Sequence, residues 1–368
     1  TLGGPLPFGM KFFLAGEYTF LRNHKPLFLE PFRFENLMTD GLGYRPAGEP
    51  LPGTVEFRRN YVPNNWNRVL AVQGNVTLSQ QNVDLAVFGS YYNEEQPNGA
   101  SWPDALQNIF RLKRSMRVEQ KSFVGGLKAG YQLEGAIRLR GSLSLQTNSL
   151  RLYDPDFGDD WRSYVDSAAN EQKGYSGFSS RYSGPPEYST IFRFIFFDPS
   201  TPNNIYAKAN QSSLRYSVGF STPLTDSWKL DLDASVEDWK FRNYVVGNIS
   251  GYRAYLDTDR DGVDDRIFPS DDEKRSFLIP AGEIKNYSYT YQGEETEKGP
   301  DAPRVFGLTA FSLNNELRFG VFEIAVGARY EIHRMSSKNT AEEQTVKYLL
   351  PRLNIAGAFA FPDRAWIS

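Results

Sequence analysis

The sequence predicts an all-β protein, an antiparallel transmembrane β-barrel with about eleven long amphipathic strands. Apolar and polar residues alternate over runs of about ten residues, whereas strands of soluble sheets have about five or six. Tight connections between these runs alternate with long ones. Aromatic residues make up 15% of the chain, and the mean hydropathy of −0.50 suits a barrel with a polar inward face. The alternative is a stack of soluble sheets with ordinary core aromatics.

The clearest hairpin lies between Leu214 and Trp239. Apolar residues occupy every second position of each arm, which is the period of a strand. Residues 222–227 supply the turn between the arms. We expect Leu230 and Leu232 to face lipid, and the aspartate that follows each of them to face the lumen.

The same alternation returns along the whole chain. Strand cores are expected at 12–20, 70–78, 83–91, 123–131, 137–145, 214–220, 228–236, 305–317, 322–332, 353–361 and 364–368. Tight turns are expected near 80–82, 133–135, 222–227, 318–321 and 362–363. Long connections are expected at 22–65, 93–117, 149–203, 244–303 and 335–346. Bacterial outer-membrane barrels have short periplasmic turns and long extracellular loops, so the long connections are assigned to the extracellular side. We treat 1–368 as a single partial β-barrel domain.

The composition argues against several classes of function. The chain has 41 Lys and Arg against 44 Asp and Glu, for a net charge of −3. It therefore lacks the excess of positive charge that is typical of nucleic-acid-binding proteins. Cysteine is absent, which excludes disulfides and thiolate metal sites. The two histidines, His24 and His333, are expected at the outer rim, and no Gly-x-Ser-x-Gly motif occurs. An outer-membrane hydrolase is therefore disfavoured, and we predict that the protein is not an enzyme.

Two short motifs carry a family resemblance. Gly3-Gly-Pro5 precedes the Lys11-Phe-Phe-Leu14 run of the first strand, and Pro351-Arg-Leu-Asn-Ile355 begins a later one. With the rhythm of strands and loops, these motifs resemble TonB-dependent receptors of the bacterial outer membrane. The resemblance implies a plugged barrel of about 22 strands. The chain would then be a fragment of about half a barrel, with residues 1–10 leading in from a plug outside this sequence.

The resemblance also implies a function. A TonB-dependent receptor resides in the bacterial outer membrane and imports its ligand with energy from a TonB-type coupling protein, which acts through the plug. An oligosaccharide, a peptide and a metal chelate remain open as the ligand. The alternative function is a structural or adhesive platform that docks a surface lipoprotein or another membrane complex. Membrane lipid is an expected partner in both cases.

An aspartate-rich segment in the loop 244–303 predicts a calcium site. Its candidate ligands are Asp257, Asp259, Asp261, Asp264 and Asp265. Aspartates at the first, third and fifth places, with Gly262 at the sixth, match the start of a calcium-binding loop. The twelfth place holds Phe268 where an EF-hand has glutamate, so one of the acidic residues at 271–273 would complete the shell. The alternative is a solvated acidic turn.

Aromatic residues in the loop 149–203 predict a ligand-binding surface. The candidates are Tyr153, Trp161, Tyr164, Tyr175, Tyr182 and Tyr188. Gly, Ser and Asp residues lie between them, and aromatic rings among such residues can adapt to sugars or peptides. The alternative is that these rings pack the loop onto itself.

Overall fold

In the computed structural model of this protein, twelve antiparallel strands form one large sheet. The structure describes the chain except for residues 23, 25–26, 34–53, 99–107, 110, 134–135, 176–200, 259–263, 298–300, 321, 338–339, 358, 361–365 and 368. In the part of the chain that is described, no helix is long and apolar enough to span a membrane.

Ten strands of the sheet are 12 to 20 residues long. In chain order the strands are β1 (Leu2–Pro5), β2 (Met10–Leu21), β3 (Phe32–Arg33), β4 (Thr54–Val55), β5 (Asn67–Gln80), β6 (Val83–Pro97), β7 (Arg117–Gln132), β8 (Arg138–Tyr153), β9 (Tyr206–Thr225), β10 (Trp228–Val246), β11 (Ile284–Tyr287), β12 (Arg304–Phe319), β13 (Phe322–Ser337), β14 (Thr340–Gly357), β15 (Phe359–Ala360) and β16 (Trp366–Ile367). The α-helices among the described residues are α1 (Ser167–Gln172), α2 (Ile249–Leu256) and α3 (Asp271–Ala281).

Each long strand lies beside its neighbours in the chain. The order across the sheet is β1-β2-β5-β6-β7-β8-β9-β10-β12-β13-β14, and β11 pairs with the end of β10. The ribbons β3–β4 and β15–β16 lie outside this sheet. The predicted all-β class and antiparallel order are therefore confirmed. Of the last predicted strand, 364–368, only residues 366 and 367 are described, and they form the short strand β16, which pairs with β15.

The register brings apolar side chains of successive strands together into one band, which we call the apolar belt. One row of the belt contains Phe12, Val76, Val87, Leu127, Leu143, Tyr216 and Val236. Another contains Val218, Ala234, Phe311, Tyr330 and Leu349. Most of the side chains in the belt are exposed: Val218 keeps 64% of its surface accessible, and Ile355, on the same side of β14, keeps 68%. Soluble monomers rarely expose a contiguous apolar patch of more than a few hundred Å², so the belt is suited to an apolar environment.

The opposite side of the sheet, which we call the polar face, has charged and hydroxyl side chains. Arg140 lies 3.2 Å from Asp233, and Lys229 lies 2.8 Å from Asp231. In contrast, Leu232 lies in the belt, where it pairs with other apolar residues of β9 and β12. The hairpin prediction is confirmed in this respect, because its leucines and its aspartates lie on opposite sides of the sheet.

One predicted connection is wrong. We expected a long loop at 335–346, but β13 continues to Ser337 and β14 begins at Thr340, with these two residues paired. The reason is that both strands extend past the belt. There Lys347 lies on the belt side of the sheet, whereas Val346 and Tyr348 lie on the polar face. The apolar and polar positions have thus exchanged sides. A prediction that requires apolar residues at every second position on the belt side therefore misses this extension.

Candidate functional site: the loop cap

The long connections that follow β8 and β10 pack together at one end of the sheet. We call this unit, made of residues 154–175, 201–205, 247–258 and 264–297, the loop cap. Its core is mainly aromatic and contains Trp161, Tyr164, Tyr206, Tyr244, Val246, Ile249, Tyr252, Leu256, Leu278, Ile284, Tyr289 and Tyr291. Tyr206 and Tyr244 belong to the belt side of β9 and β10, beyond the belt itself. The loop cap therefore packs on the ends of the strands as a small second core.

Local sequence signals explain the two longer helices of the cap. Asn248 caps α2 by accepting a hydrogen bond from the Gly251 N–H at 2.9 Å. Ser270 caps α3, and three acidic residues follow in the first turn. Their negative charges interact favourably with the helix dipole and stabilise the start of α3. The helices pack so closely that a Cβ on Gly251 would lie 2.3 Å from the carbonyl oxygen of Ala281. Glycine is therefore required at this contact.

A buried polar cluster around Arg114 lies next to this core and links several loops. We call it the Arg114 cluster. Arg114 is 1% exposed, and its Nε lies 3.4 Å from the Asp154 carboxylate. Its Nη2 donates to the side chain of Asn170 and to the carbonyl oxygen of Tyr164. Asn203 donates to Asp154 at 2.7 Å and to the Arg114 carbonyl oxygen at 2.9 Å. The buried charges are thus paired and hydrogen-bonded, as burial requires.

The Arg114 cluster also includes a second arginine. Arg111 donates to the carbonyl oxygen of Thr201 at 2.6 Å and to the side chain of Asn203. Burial and then repulsion from Arg114 lower the pKa of Arg111 to about 10. The side chain remains protonated at neutral pH, so it binds these oxygens as a cation. Together the two arginines connect loop 98–116 to both halves of the loop that follows β8.

Of the predicted aromatic residues, Trp161, Tyr164 and Tyr175 lie in the loop cap and Tyr153 lies at the end of β8, in different environments. Trp161 is buried against Tyr252, with 5.0 Å between ring centroids, and Tyr164 is fully buried. Tyr153 is half-buried and donates to Glu95 at 3.1 Å. Tyr175 is half-buried beneath the Arg114 guanidinium, 4.2 Å from its ring centroid. Tyr182 and Tyr188 lie outside the described residues. The burial of Trp161 and Tyr164 favours the alternative in which these rings pack the loop.

Burial holds Tyr164 and Tyr175 of the loop cap in their neutral form. Tyr164 donates to the Gly158 carbonyl oxygen at 2.6 Å and accepts from the Asp154 N–H at 2.8 Å. Burial raises the pKa of Tyr164 well above its usual value. Burial, followed by a hydrogen bond to Asp156, also raises the pKa of Tyr175. These phenols therefore act as neutral donors across the physiological pH range.

The described part of the aspartate-rich segment is organised by Arg253. Its guanidinium lies 2.9 Å from Asp257 and 3.1 Å from Asp264. Asp265 accepts from the N–H of Thr258 at 2.8 Å and from its hydroxyl at 2.9 Å. Asp259 and Asp261 lie outside the described residues. Among the residues that are described, no three His, Cys, Asp or Glu side chains converge as metal ligands, and calcium binding stays a prediction.

Sequence reasoning missed the Arg114 cluster entirely. The partners of Arg114 lie 40, 50, 56 and 89 positions further along the chain. Neither periodicity nor a local motif connects residues so far apart. The only sequence signal is an arginine pair, Arg111 and Arg114, next to a strand that begins at Arg117.

Comparisons with known proteins give matches in structure but not in sequence. No family model matches the chain, and no curated protein matches it. FpvA of P. aeruginosa, solved with a bound pyoverdine and iron, matches with a TM-score of 0.50 and 11% identity over 98% of this chain and 38% of FpvA. The FrpB iron transporter of Neisseria meningitidis has a TM-score of 0.49 and 8% identity, over 94% and 39%. The siderophore receptor PiuA of Acinetobacter baumannii has a TM-score of 0.41 and 8% identity, over 96% and 43%. The chain thus spans about two fifths of the length of these solved structures.

Proposed function

We propose that this chain, which has the fold of the barrel of TonB-dependent outer-membrane receptors, is part of a receptor that imports a ligand across the bacterial outer membrane. The fold is the one shared with FpvA. The observation that carries the proposal is the apolar belt, which crosses ten long strands on one side of the sheet while charged residues occupy the other. A barrel in a membrane needs this arrangement, because lipid surrounds it and water fills its lumen.

The edges of the belt support this placement. Large aromatic side chains project outward there, with Tyr131 and Trp228 near the end formed by the tight turns and Tyr18 near the other end. Aromatic rings of this kind prefer the interface between lipid and water. The loop cap then extends beyond the membrane on the side of the long connections, and we assign this side to the cell exterior.

We propose an iron chelate as the ligand class, ahead of an oligosaccharide or a peptide. The support is the structure of FpvA with a pyoverdine and iron. Energy would come from a TonB-type protein acting through a plug that lies outside this sequence. This reading makes the protein a transport receptor and not an enzyme.

A surface platform is the second candidate function. Its support is the aromatic core of the loop cap, which the protein fills with its own side chains, such as Trp161 and Tyr164. A loop unit packed in this way presents a rigid surface to a protein partner. Rigid surfaces favour association because less conformational entropy is lost on binding. A surface lipoprotein is the partner class that fits an outer-membrane location.

Uptake measurements with the full-length protein test the two functions against each other. Cells with and without this protein, and with and without the TonB-type coupling protein, would be given radiolabelled ferric siderophores, with labelled oligosaccharide and peptide pools in parallel. We expect iron uptake that requires both proteins. Uptake that continues without the coupling protein would contradict energy-coupled import. Recovery of a lipoprotein in equal amount with a receptor that imports none of the three would favour the platform.

We also propose that the aspartate-rich segment binds calcium. Its support is the spacing of the aspartates and of Gly262, which suits a hard cation with oxygen ligands. Arg253 already neutralises Asp257 and Asp264. Calcium would therefore have to displace this guanidinium from both carboxylates.

A further inference from the structure

A basic and aromatic cavity lies beside the first strands of the sheet, next to the segment that carries Arg111 and Arg114. Asn64 of its lining donates to the Leu112 carbonyl oxygen, and the Arg117 guanidinium lies 4.6 Å from the ring centroid of Trp66. The cavity has a volume of about 710 Å³ and is lined by three arginines, Arg22, Arg58 and Arg59. All three are exposed, and the lining contains no carboxylate. Within the described part of the chain, none of the three forms an ion pair with Asp or Glu. We call this cavity the arginine pocket.

The walls of the arginine pocket are fixed by backbone hydrogen bonds and packing. The N–H of Val62 donates to the Leu27 carbonyl oxygen at 2.9 Å, and the N–H of Leu29 donates to that of Asn60 at 2.8 Å. Val62 and Leu27 are buried together against Phe57. The pocket is therefore part of the folded structure and not a gap between loosely placed side chains.

The position of the arginine pocket relative to the belt is set by two strands. Tyr18 on β2 pairs with Leu70 on β5, and both are exposed belt residues. One step further from the belt, Phe20 stacks on Trp66 with 6.3 Å between ring centroids, and both rings line the pocket. The pocket thus opens on the belt side of the sheet, directly beyond the edge of the belt.

We propose that the arginine pocket binds the phosphate group of an outer-leaflet lipid whose acyl chains lie on the apolar belt. Guanidinium groups match phosphate oxygens in bidentate geometry. Aromatic rings such as Trp66 suit the boundary between headgroups and acyl chains. The belt beneath the pocket offers the apolar surface that acyl chains require. A soluble phosphate compound would use the arginines but would leave the belt contact unused.

This proposal rests on the proposed placement of the belt in a membrane, and lipid binding can be measured without transport. The full-length protein in detergent would be titrated with phosphatidic acid and with phosphatidylcholine of the same acyl chains, and the bound lipid counted by native mass spectrometry. Glycerol 3-phosphate would serve as the soluble competitor. The test variant is R22Q/R58Q. The matched control is R334Q, because Arg334 is an exposed arginine on the same side of the sheet that lies 3.9 Å from Asp238.

We expect tighter binding of phosphatidic acid than of phosphatidylcholine to the unaltered protein. R22Q/R58Q should weaken phosphatidic acid binding by about 25-fold, or about fivefold for each arginine near a membrane surface, and R334Q by less than about twofold. Unchanged binding by R22Q/R58Q would overturn the proposal, as would an equal loss in R334Q. Displacement by glycerol 3-phosphate as effective as displacement by lipid would assign the pocket to a soluble anion and overturn the lipid site. Failure of iron uptake with this binding pattern intact would reject the receptor function alone.

Discussion

Arg114 connects several loops beside the loop cap, because it is a buried charge with partners in each of them. Its guanidinium meets Asp154, Asn170 and the backbone of Tyr164, and its own carbonyl oxygen is held by Asn203. Removing one member of a buried charged pair leaves the other without compensation, which costs about 3–5 kcal/mol. Such a loss should affect the cap and leave the long strands in place.

We therefore expect Arg114→Met to open the loop cap locally. Hydrogen exchange of the full-length protein should show faster exchange at 154–175 and 201–205, with the amides of β8 and β9 unchanged. Arg266→Met is the control, since Arg266 is exposed and rests on Tyr255 at 5.2 Å from the ring centroid. Equal exchange in the two variants would mean that the Arg114 cluster does not stabilise the cap.

The calcium proposal gives a second test at the scale of single residues. Calcium titration of the full-length protein should show one site, and Asp261→Asn should weaken it by at least about tenfold, because carboxylate count sets calcium affinity. Arg253→Gln should strengthen binding, since it frees Asp257 and Asp264 from their present cation. Asp226→Asn, in the turn between β9 and β10, is the control. Saturation that is identical in all three variants would exclude this segment as the site.

At the scale of elements, the hairpins can be predicted from sequence because each joins two strands that are consecutive in the chain and has two distinct sides. The pair β9–β10 is the clearest example, since the sequence predicts both its turn and the side on which each residue lies. The outer halves of β13 and β14 could not be predicted from the sequence, because beyond the belt neither side of these strands is consistently apolar. The core of the loop cap is also inaccessible to periodicity. Trp161 could be assigned to a ligand surface or to packing until its contacts with Tyr244 and Tyr252 were known.

Strand β10 provides a test of which side of the sheet meets lipid. Leu232 lies in the belt between Phe220 and Leu313, whereas Asp233 on the polar face contacts Arg140. An arginine on the lipid side near the middle of the bilayer costs about 2–4 kcal/mol. Leu232→Arg should therefore reduce assembly of the full-length barrel in the outer membrane, measured as the folded fraction resistant to denaturation in unheated gels. Asp233→Arg should reduce it less, and the reverse order would exchange the two sides.

The loop cap should also respond to alkaline pH as a unit. Burial raises the pKa of Tyr164, Tyr252 and Tyr291, and a hydrogen bond to Asp271 adds to this for Tyr291. In the unfolded chain these phenols ionise near pH 10. Because the folded cap binds their protons more tightly, its stability is intact below about pH 10 and falls as the pH rises above that value. Tyrosinate absorbance should therefore rise in two steps, the second coinciding with increased protease cleavage of the cap. A single step near pH 10 without cleavage would contradict this.

At the scale of the whole molecule, the sheet has an edge that a membrane would not tolerate. Among the described residues, β14 pairs with β13 on one side only, although it is 18 residues long. Unpaired backbone groups in lipid cost several kcal/mol each, which is why strands in membranes occur in closed barrels. FpvA, whose fold this chain shares, is more than twice as long as this chain. The free edge of β14 is thus expected to pair with a further strand in the assembled protein.

Hydrogen exchange can detect this pairing without knowledge of the partner strand. In the full-length protein, amides along the 340–357 segment should be protected as strongly as those of β12, which has strands on both sides. In a polypeptide limited to 1–368 and held in detergent, the amides of β14 that point away from β13 should exchange faster, while those of β12 stay protected. Because β12 is present in both samples, it corrects for any general difference in stability. Equal protection of β14 in the two samples would require a partner for this edge within residues 1–368 or in a second copy, and measuring the mass of the shorter polypeptide in detergent would separate these cases.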